Sequence, residues 1–269
     1  MKTGLIGCGR MGRALAMGAI DAGAVGAADL LAYDVVDAAV EALRAERPVT
    51  AAASIRDLAS ACEVVLLCTK PQDVRAALKE VAAAGRDPGE LLVISVAAGV
   101  TIASLEHHLG GSARVVRTMP NTPALVGKGA AAFALGSTAT PADADTARRL
   151  LEAVGTAVEV PESLLDAVTG LSGSGPAYVY MLIEALADGG VRNGLPPDQA
   201  LALAAQTVLG AAAMVQTTGE QPSALRDMVA SPGGTTVAGL QALEDGGFRA
   251  ACIEAVSAAT RRSKELGQN

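Results

Sequence analysis

The stretch Thr3-Gly4-Leu5-Ile6-Gly7-Cys8-Gly9-Arg10-Met11-Gly12 is a short apolar run that passes directly into a glycine-rich turn. The run has the composition of a buried strand, and residues 11–22 have the apolar spacing of a helix. The glycines fit G-x-G-x-x-G, in which a tight turn lets a dinucleotide pyrophosphate approach the backbone at a helix N-terminus. The stretch therefore predicts a nucleotide-binding unit, although a turn that only packs helix on strand would look the same.

The first half of the chain continues this alternation of short apolar runs and helical patterns. The runs predict strands at residues 3–6, 30–33, 64–68, 91–95, 115–117, 130–135 and 156–160. The patterns between them predict helices at residues 11–22, 36–45 and 73–83. Continuous apolar strands that alternate with helices indicate a doubly wound parallel sheet, so we expect an α/β Rossmann-type domain over residues 1–160.

After Pro161 the pattern changes, and only helices are predicted. They cover residues 162–169, 176–188, 197–217, 223–229, 235–244 and 248–266. Residues 199–215 are apolar around more than one face, and such a helix must be buried. A helical half of this size does not bury all these faces alone, so we expect residues 161–269 to form an all-α domain that makes a homodimer. A larger oligomer built from that dimer, such as a decamer, stays open.

Composition narrows the class of protein. The net charge is −7, which argues against a nucleic-acid binder or a protein of anionic membranes, because both need a basic face. The apolar run at residues 91–105 is shorter than the ~20 residues of a membrane span, and Arg10 and Arg13 interrupt any signal peptide. The four cysteines form no C-x-x-C pair and the chain has two histidines, so we expect no metal site and a reducing, cytoplasmic location.

Further candidate cofactor residues lie where predicted strands end, the edge at which ligands bind in such sheets. Asp34 can accept hydrogen bonds from the adenosine ribose and repel a 2′-phosphate, or it can be a solvated loop residue. Lys70 can neutralise phosphate or stand on the surface, and Ala97 leaves room for a nicotinamide ring. Asn121 can meet the carboxamide or the substrate, or cap a turn. The predicted cofactor-binding residues are Ile6, Gly7, Cys8, Gly9, Arg10, Met11, Gly12, Asp34, Cys68, Thr69, Lys70, Pro71, Ala97 and Asn121.

A second glycine-rich turn lies in the C-terminal half, at Ser231-Pro232-Gly233-Gly234-Thr235-Thr236. It opens into a predicted helix, and such a junction presents free backbone N–H groups, hydroxyls and the positive end of a helix dipole. These groups suit a small carboxylate, although helix N-capping by the threonines explains the same residues. A nucleotide site and an anion site in one chain suggest a redox enzyme that acts on a small acid.

Two motifs in the second half carry a resemblance to a known family. The motif at residues 173–178, GSGPAY, together with SPGGTT at residues 231–236, closely resembles Δ1-pyrroline-5-carboxylate reductase. The resemblance extends to residues 70–71, 97–101, 119–123 and 243–249, and so covers essentially the whole chain. It implies a Rossmann domain followed by a helical dimerisation domain, and the NAD(P)H-dependent reduction of pyrroline-5-carboxylate to L-proline.

The resemblance also implies a role for the residues of the second turn. The Ser231 hydroxyl and the N–H groups of Gly233, Gly234 and Thr235 would hold the substrate carboxylate. Thr236 would be the catalytic residue, since its hydroxyl would hydrogen-bond the ring nitrogen and help to deliver a proton. The cofactor of that site would lie on the partner subunit of the dimer.

Two departures from the family pattern concern the cofactor. Arg10 stands where the family usually has a small amide, and Asp34 stands where members that favour NADPH often have Ser or Asn. The family as a whole leans to NADPH, whereas Asp34 points to NADH. The expected cofactor is therefore NADPH or NADH.

Two other functions stay open as alternatives. One is a different Rossmann oxidoreductase with a helical C-terminal domain, such as a 3-hydroxyacid dehydrogenase relative or a deazaflavin-linked NADP reductase. Residues 172–188 contain no lysine, which disfavours the dehydrogenase. The other is a nucleotide-sensing protein without turnover, which the intact turn at residues 231–236 disfavours.

Overall fold

The computed structural model describes residues 1–267 and contains an eight-stranded sheet. The strands are β1 (Thr3–Ile6), β2 (Leu30–Tyr33), β3 (Thr50–Ala51), β4 (Val64–Leu67), β5 (Leu92–Ser95), β6 (Arg114–Met119), β7 (Gly129–Leu135) and β8 (Gly155–Glu159). The helices are α1 (Arg10–Asp21), α2 (Asp37–Glu46), α3 (Ile55–Ala61), α4 (Val74–Ala82), α5 (Ile102–His108), α6 (Pro141–Glu152), α7 (Leu165–Val168), α8 (Gly175–Arg192), α9 (Pro197–Thr218), α10 (Pro222–Val229), α11 (Thr235–Asp245) and α12 (Phe248–Leu266).

The chain forms two compact units. The first unit is Met1–Ser174 together with the chain from Ala258 onward, and the second unit is Gly175–Ser257. The first unit contains the whole sheet, and the second contains α8 to α11 with the first part of α12. The division into domains at residues 160 and 161 stays a prediction.

The sheet has the strand order β3-β2-β1-β4-β5-β6-β7-β8. Every pair of neighbouring strands is parallel except β6 and β7, which are antiparallel. The prediction of a Rossmann-type doubly wound sheet is confirmed, but an all-parallel sheet is wrong at β7. Only a short 3-10 turn, Thr122–Val126, connects these two strands, and a parallel return requires a longer crossover.

Helices cover both faces of the sheet, which explains why its central strands are apolar at nearly every position. On one face α1, α2 and α6 pack against the strands, and Leu15, Leu43 and Phe133 are fully buried there. On the other face α3, α4 and α5 pack around Leu58 and Leu78. Burying a side chain of this size stabilises the fold by ~1.5–3 kcal/mol.

The sequence patterns predict neither β3 nor the helices α3 and α6 of the first unit. The start of helix α6 nevertheless has a clear capping motif in the sequence. The Thr140 hydroxyl accepts the Asp143 N–H while the Asp143 carboxylate accepts the Thr140 N–H, and Pro141 follows the cap. This capping box, with proline at the first helical position, marks a helix start.

The segment between the sheet and α8 differs from its prediction. The expected helix at residues 162–169 is a 3-10 turn, Glu162–Leu164, followed by the four-residue helix α7. The expected glycine loop before α8 is a π-helical turn, Thr169–Gly173, that leads almost directly into that helix. A π-helical turn has wider backbone hydrogen bonding than an α-helix, and local sequence signals do not reveal it.

The helices predicted for the second half are confirmed from α8 to α12, with ends within four residues of those expected. Helix α9 ends at Gly219, whose φ of +68° is favourable for glycine. Many large apolar side chains of the second unit are exposed, among them Tyr180, Met181, Leu201, Leu203, Leu209, Met228, Val229 and Ile253. These exposed side chains are a surface that the chain itself does not cover.

Helix α9 also has the length and apolar composition of a membrane-spanning helix. Its most apolar window has a mean hydropathy of 1.4 and is 11% buried. The apolar run at residues 91–105 lies outside this helix, whose own apolar run is interrupted by Gln206 and Thr207. The core helix of a soluble protein has the same length and apolar composition.

Candidate active site

The loops that follow β1 and β4 leave the same edge of the sheet. The Gly7 N–H donates to the Tyr33 carbonyl at 2.9 Å, and the Cys68 N–H donates to the Ile6 carbonyl at 2.7 Å. The strand order reverses between β1 and β4, and ligands of doubly wound sheets bind in the crevice at such a reversal. The structure therefore brings the predicted residues of both loops together at the expected ligand edge.

The three glycines of the first turn are required for different reasons. Gly7 has φ +97°, and a Cβ there would lie 2.7 Å from the Cys68 carbonyl carbon and oxygen. A Cβ on Gly12 would lie 2.0 Å from the Gly7 oxygen, inside any allowed contact. A Cβ on Gly9 would meet no atom within 4 Å. Two glycines thus close the turn against its neighbours, whereas Gly9 leaves open space in front of α1.

The N-terminus of α1 is available to an anion. Gly9 is its N-cap residue, without a side-chain cap, so the first N–H groups of the helix have no intrahelical acceptor. Arg10 is exposed at the first helical position and Met11 is half-buried behind it. Burial and then the nearby Asp34 raise the pKa of the Cys8 thiol to about 12, so this thiol stays neutral. A neutral thiol in the turn does not repel a diphosphate.

Asp34 is held against the glycine turn. Its Oδ2 accepts the Cys8 N–H at 2.7 Å, and its Oδ1 accepts the Val36 N–H at 2.9 Å. A carboxylate has about four lone-pair sites, so each oxygen can accept a further hydrogen bond from a ribose hydroxyl. The geometry favours a fixed carboxylate over a freely solvated loop aspartate, because both carboxylate oxygens accept backbone N–H groups, and the contact of Asp34 with a cofactor stays a prediction.

The loop after β4 contains a buried hydroxyl without a partner. The Oγ1 atom of Thr69 is buried and makes no hydrogen bond to any described residue. Buried polar atoms are almost always paired, so this atom fits a polar group of a bound ligand. Lys70 is exposed beside it, and Pro71 begins a 3-10 turn. Burial and then Cys8 raise the pKa of the neighbouring Cys68 thiol to about 12, which keeps it neutral as well.

The loops at this sheet edge have the shape and the polar groups that a dinucleotide requires. The open space at Gly9, the uncapped helix, the fixed carboxylate and the unpartnered hydroxyl all lie on loops at one sheet edge. Ala97, which follows β5, is 3% exposed, and the exposed residue of that pair is Ala98. The residues present therefore fit NAD(P)H.

Asn121 makes two hydrogen bonds to the protein backbone. Its side-chain oxygen accepts the Ala130 N–H at 2.8 Å, and its amide nitrogen donates to the Ser172 carbonyl at 3.0 Å. Asn121 is 8% exposed and thereby joins the end of β6 to β7 and to the π-helical turn. The geometry favours a structural role for the Asn121 side chain, that of holding the turn. A contact between Asn121 and a cofactor stays a prediction.

Replacing Asn121 tests this structural assignment. Asn121→Ala leaves a buried N–H and a carbonyl without partners, so we expect a loss of about 2–4 kcal/mol in the free energy of unfolding. Asn193→Ala is the control, since that exposed amide donates only to the Gly189 carbonyl within its own helix. Urea denaturation should show a loss of less than about 0.5 kcal/mol for the control. Equal losses in the two variants would contradict the assignment.

The second turn, at residues 231–236, belongs to the second unit. The Gly234 N–H donates to the Ser231 carbonyl at 2.9 Å, and Gly233 has φ +68°, which a side chain would disfavour. Helix α11 begins at Thr235, with Gly234 as its N-cap and no side-chain cap. The side chains of Thr235 and Thr236 therefore do not cap this helix. Within the described residues, the hydroxyls of Ser231, Thr235 and Thr236 make no hydrogen bond, and they can serve a ligand.

Comparison with known proteins decides the family. A family model described as pyrroline-5-carboxylate reductase dimerisation matches residues 162–266. The chain is 46% identical to pyrroline-5-carboxylate reductase of Methanosarcina acetivorans, over 99% of this chain and 98% of that protein. The chain belongs to the pyrroline-5-carboxylate reductase family.

Solved structures of the family agree with this assignment. A pyrroline-5-carboxylate reductase from Coxiella burnetii is 34% identical with a TM-score of 0.94, covering 98% of both chains. The Plasmodium falciparum enzyme, crystallised with NADP bound, is 32% identical with a TM-score of 0.86, covering 99% of this chain and 98% of that one. The resemblance drawn from the two motifs is thus confirmed.

A second family model, described as a coenzyme F420-dependent NADP oxidoreductase, matches residues 2–99. That segment holds the glycine turn, Asp34 and the loops after β4 and β5, so it covers the nucleotide-binding part of the chain. The deazaflavin-linked alternative finds support only there, whereas the reductase family extends over the whole chain.

Proposed function

We propose that this protein reduces L-1-pyrroline-5-carboxylate to L-proline with NAD(P)H, the last step of proline biosynthesis. One observation carries the proposal. A pyrroline-5-carboxylate reductase chain presents both a dinucleotide cradle at the sheet edge and an uncapped helix start with three unengaged hydroxyls. The protein is an NAD(P)-dependent oxidoreductase that acts on a C=N bond.

The proposed cofactor contacts follow from the geometry of the first unit. The free N–H groups at the start of α1 and the Arg10 guanidinium hold the diphosphate. The Asp34 carboxylate accepts from the adenosine ribose, and Thr69 pairs its buried hydroxyl with the ligand. NAD(P)H supplies the hydride when it is bound there. Ala97 and the exposed Ala98 have small side chains that leave room for the nicotinamide.

The proposed substrate contacts lie on the second turn. The Ser231 hydroxyl and the N–H groups of Gly233, Gly234 and Thr235 bind the carboxylate, favoured by the positive end of the α11 dipole. The Thr236 hydroxyl donates to the ring nitrogen and passes it a proton, directly or through water, and the hydroxyl recovers its own hydrogen from solvent. A protonated cyclic imine is already electrophilic, so these residues chiefly orient it for hydride addition at the imine carbon.

We propose a homodimer formed through the second unit, with α9 covered by a second copy. The support is the dimerisation family model and the exposed apolar side chains of α8 to α12. A lipid bilayer is the alternative cover for α9. We favour protein because the polar residues Asp198, Gln206 and Gln216 interrupt the apolar sequence of the helix. A decamer, a cytoplasmic location and the absence of nucleic-acid partners belong to the same proposal.

Residues 1–267 contain no group of three His, Cys, Asp or Glu placed to hold a metal ion, and a metal-free reaction stays a prediction.

A charged side chain on α9 tests the dimer. Leu209 is 57% exposed, and Leu209→Glu would place a carboxylate in an apolar interface, so we expect the dimer dissociation constant to rise by roughly 100-fold or more. Val158→Glu is the control, because Val158 is 55% exposed but lies on β8 in the first unit. Light scattering at micromolar concentration measures both. A monomeric wild-type protein, or a dimeric Leu209→Glu variant, would contradict the proposal.

The proposed reaction is tested by following absorbance at 340 nm. We expect NADH or NADPH to be oxidised only when pyrroline-5-carboxylate is added, with L-proline as the product. A 3-hydroxyacid with NAD⁺ and an F420-type deazaflavin with NADPH serve as substrates of the alternative classes. Turnover of either one, with none of pyrroline-5-carboxylate, would overturn the proposal in favour of that class. No turnover of any substrate would favour the nucleotide-sensing alternative.

A further inference from the structure

We infer that Asp34 makes this enzyme selective for NADH, by binding an unmodified adenosine ribose and rejecting a 2′-phosphate; the inference rests on the proposed function. The fold itself accepts either cofactor class, since the P. falciparum relative was solved with NADP bound. Selectivity must then come from the residues of the segment between β2 and α2, where the 2′ position of the ribose lies in such folds.

The Asp34 carboxylate has little freedom to move away from a phosphate. It accepts the Cys8 N–H at 2.7 Å and the Val36 N–H at 2.9 Å. Cys8 is 4% exposed, so a displaced carboxylate would leave a buried donor unpaired. The Val36 N–H is also the kind of backbone donor that a phosphate would need, and Asp34 already occupies it.

The neighbouring residues offer a 2′-phosphate no favourable contact. Residues 34–37 read Asp-Val-Val-Asp, which supplies two carboxylates and two apolar side chains but no cation and no hydroxyl. Val35 is 85% exposed, and Asp37 lies in the first turn of α2. NADP-binding sites need the opposite, namely arginine, lysine or hydroxyl donors around the phosphate.

The arginines of α1 and α2 other than Arg10, and Arg47 directly after α2, are paired with acids. Arg13 bonds Glu46, Arg44 bonds Glu41 at 2.7 Å, and Arg47 bonds Asp21 at 2.7 Å. These ion pairs are exposed, so they do not hold the arginine side chains rigidly. Each acid nevertheless lowers the positive potential that its arginine offers to an added phosphate.

Arg10 is the opposing candidate. It is exposed at the first position of α1, next to the diphosphate position, and makes no ion pair among the described residues. A contact from Arg10 to a 2′-phosphate would offset the repulsion between Asp34 and that phosphate. A contact from Arg10 to the diphosphate would strengthen the binding of NADH and of NADPH equally. We assign Arg10 to the diphosphate, because both lie at the N-terminus of the same helix.

The charges set the sign and the size of the selectivity. A 2′-phosphate carries between one and two negative charges at neutral pH, and it would stand within a few ångströms of the fixed carboxylate. Ribose hydroxyls instead donate to the unused lone pairs of Asp34. We therefore expect NADH to bind roughly tenfold or more tightly than NADPH.

Isothermal titration of the full-length protein with NADH and with NADPH, without substrate, tests the inference. In Asp34→Ser, the dissociation constants of NADH and NADPH should lie within about threefold of each other, because NADH binds more weakly and NADPH more tightly than in the wild type. Asp34→Asn keeps an acceptor for the Cys8 N–H and should shift the ratio in the same direction if the serine variant is unstable. Asp37→Asn is the matched control, since it removes a nearby charge that makes no hydrogen bond to the glycine turn, and its ratio should shift less than that of either Asp34 variant.

The outcomes separate this inference from the proposed function. Equal or tighter NADPH binding in the wild type, or equal shifts in Asp37→Asn and Asp34→Ser, would overturn the selectivity while pyrroline-5-carboxylate reduction persists. A selective loss of NADPH binding in Arg10→Ala would overturn it too, because Arg10 would then serve the 2′-phosphate. Binding of neither coenzyme would overturn both the inference and the proposed function.

Discussion

A Gly12→Ala variant is expected to lose coenzyme binding and activity by roughly 100-fold or more, since misplacing a binding group by ~1 Å has effects of that size. The new Cβ would lie 2.0 Å from the Gly7 oxygen and 3.1 Å from the Cys68 Cβ. Both the Gly7 backbone and the start of α1 would have to move, and the free N–H groups would turn away from the diphosphate. Overpacking of this kind also destabilises the fold, by about 1–3 kcal/mol.

Gly9→Ala is the matched control for that clash. Its Cβ meets no protein atom within 4 Å, so we expect thermal unfolding like that of the wild type. Its methyl group would nevertheless stand in the space in front of α1, so coenzyme affinity should fall without loss of stability. Calorimetric titration and thermal denaturation of both variants give the comparison. Wild-type coenzyme affinity in either variant would contradict the account of the cradle.

A Thr236→Ala variant is expected to lower kcat/KM for pyrroline-5-carboxylate by about 10- to 100-fold, the range of one hydrogen bond to a charged group. The Thr236 hydroxyl makes no hydrogen bond within the described residues, so its removal leaves no protein group unpaired. Stability, dimer mass and coenzyme affinity should therefore stay unchanged, and only steady-state kinetics should report the loss.

Ser223→Ala is the control for this variant, because Ser223 occupies the second position of α10 as Thr236 occupies the second position of α11. We expect its kcat/KM to equal that of the wild type. If Thr236→Ala also kept the wild-type kcat/KM, Thr236 would have no part in the chemistry. If Thr236→Ala unfolded or dissociated, its hydroxyl would be structural, against the assignment made here.

The features that sequence predicts well are those that local chemistry determines. The strand, turn and helix at residues 3–21 follow from an apolar run and three spaced glycines. Helix α9 follows from Pro197 at its first turn and Gly219 after its end. The turn at residues 231–236 is likewise local, since Gly233 and Gly234 form it within six residues.

The features that sequence missed depend on contacts between distant residues. The reversal of β7 follows from its pairing with β6, and apolar composition is the same for either direction. Asp34 is fixed by an amide 26 positions away, and Asn121 by a carbonyl 51 positions away. Their residue types marked both as candidates, but only the fold shows that one contacts the glycine turn and the other holds a turn.

The transfer of deuterium from coenzyme to product is a direct test of the proposed hydride transfer from NAD(P)H to pyrroline-5-carboxylate. The full-length protein would be incubated with pyrroline-5-carboxylate and with NADH or NADPH that carries deuterium at both C4 positions, and the product analysed by mass spectrometry. We expect L-proline one mass unit heavier, with the deuterium on C5 of proline, the carbon of the former C=N bond. Unlabelled proline, or no proline with either coenzyme, would contradict it.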